Sequence, residues 1–205
     1  MAAVTLLVVL GAPAWTRAQE TSGTDATASR GANEFGVWGG GSVAPSTATI
    51  GRWSDFDYGQ LAFRYARNLW GDGTFALDWT VDAVPLALIS LDRGGKPAHN
   101  DGPQDVVYGA GIAPIGLRLD YDGFACWRPY FATNVGFLMF EDRIPTTGTK
   151  FNYTWDFGLG AQFFLTDDQA LSLGYDFKHI SNAYAGQTNP GFDSNIFYIG
   201  YSFFR

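Results

Sequence analysis

Apolar and polar residues alternate along most of this chain, the period of a β-strand with one greasy face and one polar face. The longest regular stretch is Lys150 to Leu165. There Phe151, Tyr153, Trp155, Phe157, Leu159 and Phe163 share one face, and Asn152, Thr154, Asp156, Gly158, Gly160 and Gln162 share the other. Taken in order, the same test predicts strands over Phe35–Val43, Tyr58–Asn68, Thr74–Ala83, Asp105–Tyr121 and Tyr130–Phe140. Two more lie between Leu171 and Phe203. In the first, Leu171, Leu173, Tyr175 and Phe177 alternate with Ser172, Gly174, Asp176 and Lys178; in the second, Phe197, Ile199, Tyr201 and Phe203 keep the apolar phase. Pro114 sits inside the fourth strand and predicts a bulge or break, because proline cannot donate to the ladder.

Connections after odd-numbered strands are long (Ala44 to Asp57, Ser90 to Gln104, Glu141 to Thr149), and those after even-numbered strands are short (Gly71-Asp72-Gly73, Asp122-Gly123, Asp167-Asp168). An even strand count with long loops on one side and tight turns on the other is the signature of an outer-membrane barrel. The predicted fold class is therefore all-β, an eight-stranded antiparallel transmembrane β-barrel. The polar face carries Arg64, Asp78, Asp82, Arg118, Asp120, Asp156, Asp176 and Lys178, of mixed sign. In a barrel this narrow the interior is just filled by side chains, so these groups are expected to pair inside it. A soluble barrel would reverse the phase and put the apolar residues inside.

Composition agrees. Of 205 residues, 46% are apolar and 17% aromatic, Gly numbers 26, and only 16% are charged, which is low for a soluble domain. A net charge of −7 argues against a nucleic-acid partner, though divalent cations can bridge acidic loops to a phosphorylated lipid. Ala2 to Ala14 is an apolar run too short to span a bilayer; small residues precede Ala18, so residues 1–18 predict a secretory signal peptide. Residues 19–33, rich in Thr, Ser, Ala and Gly, predict a disordered linker, which leaves 34–205 for the barrel. Cys126 is the lone cysteine; it can form no intramolecular disulfide and is expected to be a small apolar filler. His99 lies in a predicted loop. No metal or cofactor constellation is evident.

The candidate chemistry lies at the facing ends of the last two strands. Following the apolar face of the first toward the joining loop leads to His179 and then Ser181; following the second backwards leads to Asn195 and then Asp193. Opposed side chains on antiparallel neighbours come within roughly 5 Å, so a triad is available. Ser181 would be the nucleophile, His179 the general base and Asp193 the group that orients the imidazole. The loop between them holds Asn189-Pro190-Gly191. The Asn189 amide and the Gly191 N–H are candidate oxyanion donors, whereas Pro190 has no N–H.

The string His179-Ile180-Ser181-Asn182, six residues, then Asn189-Pro190-Gly191-Phe192-Asp193 resembles the lipid A 3-O-deacylase (PagL-type) family. Its members are small outer-membrane β-barrels that remove the ester-linked acyl chain at the 3-position of lipid A. The resemblance puts the catalytic His and Ser on His179 and Ser181, motif Asn residues on Asn182 and Asn189, and the acidic member on Asp193, where the family pattern carries Glu. It implies lipid A of the outer leaflet as substrate, a Gram-negative outer membrane as location, and no cofactor. Two other readings stay open: an outer-membrane phospholipase A-like esterase, and a non-catalytic structural or adhesive barrel. A homodimer also stays open.

Overall fold

The computed structural model describes residues 33–42, 49–52, 56–91, 106–144 and 147–205. The proposed signal peptide, the linker up to residue 32 and His99 lie outside the described residues.

Eight strands follow in order: β1 (Asn33–Ser42), β2 (Phe56–Gly71), β3 (Phe75–Leu91), β4 (Val106–Tyr121), β5 (Trp127–Ile144), β6 (Thr149–Thr166), β7 (Gln169–Ser181) and β8 (Phe192–Phe204). Each pairs antiparallel with its neighbours in sequence, and β1 closes the barrel against β8. Most strands run past the ends that alternation predicts. β3 continues to Leu91 rather than stopping at Ala83, and β5 continues to Ile144 rather than to Phe140. The β3 extension is hidden in the sequence because Pro85 interrupts the alternation. Pairing shifts register between Val84 and Ala87, so the chain bulges there and resumes the ladder. Pro114 produces the predicted bulge: β4 shifts register against β3 and β5 on either side of it. Asn33, assigned above to the linker, is already in β1 and pairs with Arg67.

The apolar phase faces outward. Phe63, Ile115, Leu159 and Ile199 are more than half exposed, as lipid-facing residues of a barrel must be. At the short-turn end an aromatic row runs through Phe75, Tyr121, Phe124, Trp127 and Phe163, with Phe124 and Trp127 stacked at 4.4 Å. Such girdles sit at the level of the lipid headgroups.

The interior has two storeys. Its polar part is the paired network that the alternation implies, except at Asp176, which is buried there with no side-chain hydrogen bond or ion pair among the described residues. Arg64 grips Asp82 through two hydrogen bonds of 2.7 and 2.6 Å, and Lys178 meets Asp156 at 2.6 Å. Arg118 bridges Asp78 at 2.7 Å, Asp120 at 3.1 Å and Glu34 at 2.6 Å. Glu34 was not among the expected interior charges; it also accepts from Gln162 and Ser202. Toward the long connections the lining turns apolar. Phe56, Tyr58, Ile89, Val107, Leu138, Phe140, Ile180, Phe192 and Ile196 are buried there in one cluster. The lumen is therefore not polar throughout. Cys126 is another correction: it lies exposed in the β4–β5 turn and fills no core.

Candidate functional site

β7 and β8 meet in a register that pairs Phe177 with Asn195, His179 with Asp193 and Ile180 with Phe192. His179 and Asp193 are thus directly opposed, and both side chains leave the same face of the sheet. That opposition lets a side chain as short as aspartate reach: His179 Nδ1 lies 2.6 Å from Asp193 Oδ1. A carboxylate is an acceptor, so in the neutral imidazole it is Nδ1 that carries the proton and Nε2 that keeps the lone pair.

The second carboxylate oxygen is occupied too. Asp193 Oδ2 accepts from the backbone N–H groups of Thr49, Ile50 and Gly51 at 2.7, 2.6 and 2.9 Å. These residues belong to the β1–β2 connection, which alternation marks only as a long polar loop. Its side chains give no hint of this role, because the contacts are made by main-chain donors. Asp193 is wholly buried, while His179 keeps 18% of its side chain exposed.

Ser181 follows His179 by two residues and so lies on the same outward face, opposite Tyr153 of β6. Among the described residues no hydrogen bond joins Ser181 to His179. The two are brought to a common point instead: a Cβ built on Gly191 would lie 3.1 Å from His179 Cε1, 3.5 Å from its Nε2 and 3.4 Å from Ser181 Cβ. Gly191 has φ +54°, a left-handed backbone that glycine adopts without strain.

Asn182 and Asn189 shape the loop. The Asn182 carbonyl accepts from Ala185 N–H at 2.8 Å across Ala183 and Tyr184, both at positive φ, the geometry of a type I′ turn. The Asn182 side chain accepts from Tyr184 N–H and donates to Thr188 O. Its backbone N–H donates to Asn189 Oδ1 at 3.1 Å, which turns the Asn189 NH₂ the other way. Thr188 in turn donates to Thr147 O and fastens the loop to the β5–β6 connection.

A closed, eight-stranded barrel with an apolar exterior, carrying a His–Asp pair and a serine at the rim of its outer wall, defines an outer-membrane type of β-barrel. The chain belongs to the lipid A 3-O-deacylase (PagL) family, whose model matches residues 57–202. In fold it is similar to the crystal structure of the outer membrane enzyme PagL, with TM-score 0.55 and 16% identity, covering 84% of this chain and 99% of that one. It is also similar to Neisserial surface protein A, with TM-score 0.51 and 11% identity, covering 85% of this chain and 97% of that one. At these identities the two structures bear on the fold. A search of curated protein sequences finds no match.

Proposed function

We propose that this protein is a serine esterase of the outer membrane that hydrolyses the 3-linked acyl ester of lipid A. The observation that carries the proposal is the His179–Asp193 bond of 2.6 Å on the outward face shared with Ser181. This face is at the long-connection end of the barrel, which in outer-membrane barrels is the extracellular end. A site there meets outer-leaflet lipid directly, with the acyl chain lying along the apolar wall.

In the first half-reaction His179 Nε2 takes the Ser181 proton as Oγ attacks the ester carbonyl carbon. The tetrahedral oxyanion is met by the Gly191 N–H and the Asn189 NH₂. Collapse breaks the bond to the 3-oxygen of the sugar, which leaves with the proton from His179, and the acyl group stays on Ser181. Water, deprotonated by His179, then attacks the acyl-enzyme; the acyl–Oγ bond breaks as the proton passes from His179 Nε2 to Ser181 Oγ, and the fatty acid leaves. Asp193 holds the imidazole in the Nδ1–H tautomer through both steps.

The test is mass spectrometry of lipid A from Gram-negative cells expressing the wild type or Ser181→Ala. Loss of one 3-linked hydroxyacyl chain is expected in the wild type alone. Intact lipid A with free fatty acid from phospholipid would instead make this a phospholipase. Intact lipids throughout, with the barrel folded, would make it a non-catalytic barrel.

A further inference from the structure

We infer that Gly51 is a positioning residue: through it the β1–β2 connection sets the triad carboxylate, a task the barrel strands leave unfinished. The inference rests on the serine-esterase reading above and assigns a regulating geometry to the same site.

β8 fixes the backbone of Asp193 but leaves its side chain a choice of staggered positions about the Cα–Cβ bond, and the one it takes aims Oδ1 at His179. What fixes that position is the row of three N–H groups on Oδ2, all within 2.9 Å. Successive main-chain N–H groups converging on one oxygen form an anion-binding nest. Here the nest takes up an internal carboxylate, in a place where no side chain of the segment is required.

The same segment also holds the oxyanion turn. Arg52 N–H donates to Pro190 O at 2.7 Å, with Gly191 O at 3.1 Å. One short stretch, Thr49 to Arg52, therefore ties down both the carboxylate and the turn that carries Gly191. Its approach depends on Gly51. A Cβ there would lie 2.5 Å from Phe192 Cα, 2.7 Å from Phe192 N and 2.8 Å from Gly191 C. All three neighbours are main-chain atoms of the site itself and cannot swing aside as a side chain would. Any side chain at position 51 must lift the segment away, and the three donors leave Asp193 with it.

The test uses the full-length protein refolded in detergent with lipid A as substrate, comparing wild type, Gly51→Val, Ile50→Pro and Ser181→Ala. Ile50→Pro removes the middle donor without adding bulk at position 51. Heat-modifiable migration on gels reports whether the barrel has formed. A misplacement of this size is expected to lower kcat on the order of 10²-fold with KM unchanged, because the segment touches the carboxylate rather than the lipid. The low-field proton resonance of His179 Nδ1–H, expected in the wild type, should be lost along with it. Wild-type kcat in a folded Gly51→Val and a folded Ile50→Pro would overturn the inference. So would loss of the barrel in both, which would make the segment a brace for the fold. Turnover surviving in Ser181→Ala would sink the esterase reading itself; an inactive Ser181→Ala beside a fully active Gly51→Val would sink only the role of the loop.

Discussion

Gly191 lies so close to His179 that a single methyl group placed on it would sit 3.1 Å from the imidazole Cε1. At φ +54° the position also disfavours any residue but glycine, at about 1–2 kcal/mol. Gly191→Ala keeps the N–H but crowds the imidazole and strains the turn. It is expected to lower kcat more than it lowers the melting temperature of the barrel, which parallel rate and thermal-unfolding measurements would show.

Asp193 fits its place because it stands directly opposite His179 with its far oxygen in the backbone nest. Asp193→Glu adds a methylene and drives the carboxylate past one partner or the other. This substitution is expected to reduce turnover in this chain. Asp193→Asn, which cannot accept equally through both positions, should reduce it further, by about 10³–10⁴-fold. An Asp193→Glu enzyme with undiminished kcat would show that the nest does not set the reach.

Arg118 is fully buried between Glu34, Asp78 and Asp120. Arg118→Met leaves three carboxylates facing each other with no cation between them. Breaking a buried pair in this way costs about 3–5 kcal/mol. The variant should unfold at lower denaturant or temperature, while the fraction that folds keeps wild-type kcat, since the site lies on the other side of the wall.

Leu159 is among the most exposed apolar residues, at 64%, on the outward phase of β6. An arginine on the lipid face costs about 2–4 kcal/mol at the bilayer midplane and little near its edges. Leu159→Arg should therefore impair folding into lipid vesicles. The same change at a rim position such as Tyr184, 76% exposed in the β7–β8 loop, should not.

Much of the barrel was legible in the sequence because a β-strand writes its two faces into alternate residues. The Phe151 to Phe163 run and the turn at Asp72-Gly73 are of that kind. In the turn, Asp72 accepts from Thr74 and Phe75 N–H, and those two bonds hold its carboxyl below the usual carboxylate range. The hidden parts have physical reasons. Pro85 breaks the alternation but not the strand. The apolar upper lining shares its residue types with the lipid face, so residue type does not mark Ile180 and Phe192 as inward; only the phase they share with Lys178 and Ser194 does. His179 and Asp193 could be placed opposite one another from phase alone, and the register does so. The hold on Asp193 could not, since main-chain N–H groups look the same whatever residue carries them. Only Gly51 left a mark, and a glycine in a polar loop invites no special notice.

A cylinder stoppered by Phe56, Phe140 and Phe192 and cross-braced below by Arg64, Arg118 and Lys178 is an insulator. Inserted in a planar bilayer it should carry no current at any voltage the film survives. Ester, water and products must all come and go on the outside of the cylinder, so traffic to the site is lateral, within the plane of the leaflet. Turnover should accordingly follow the fluidity of the surrounding lipid rather than the size of any solute in the medium.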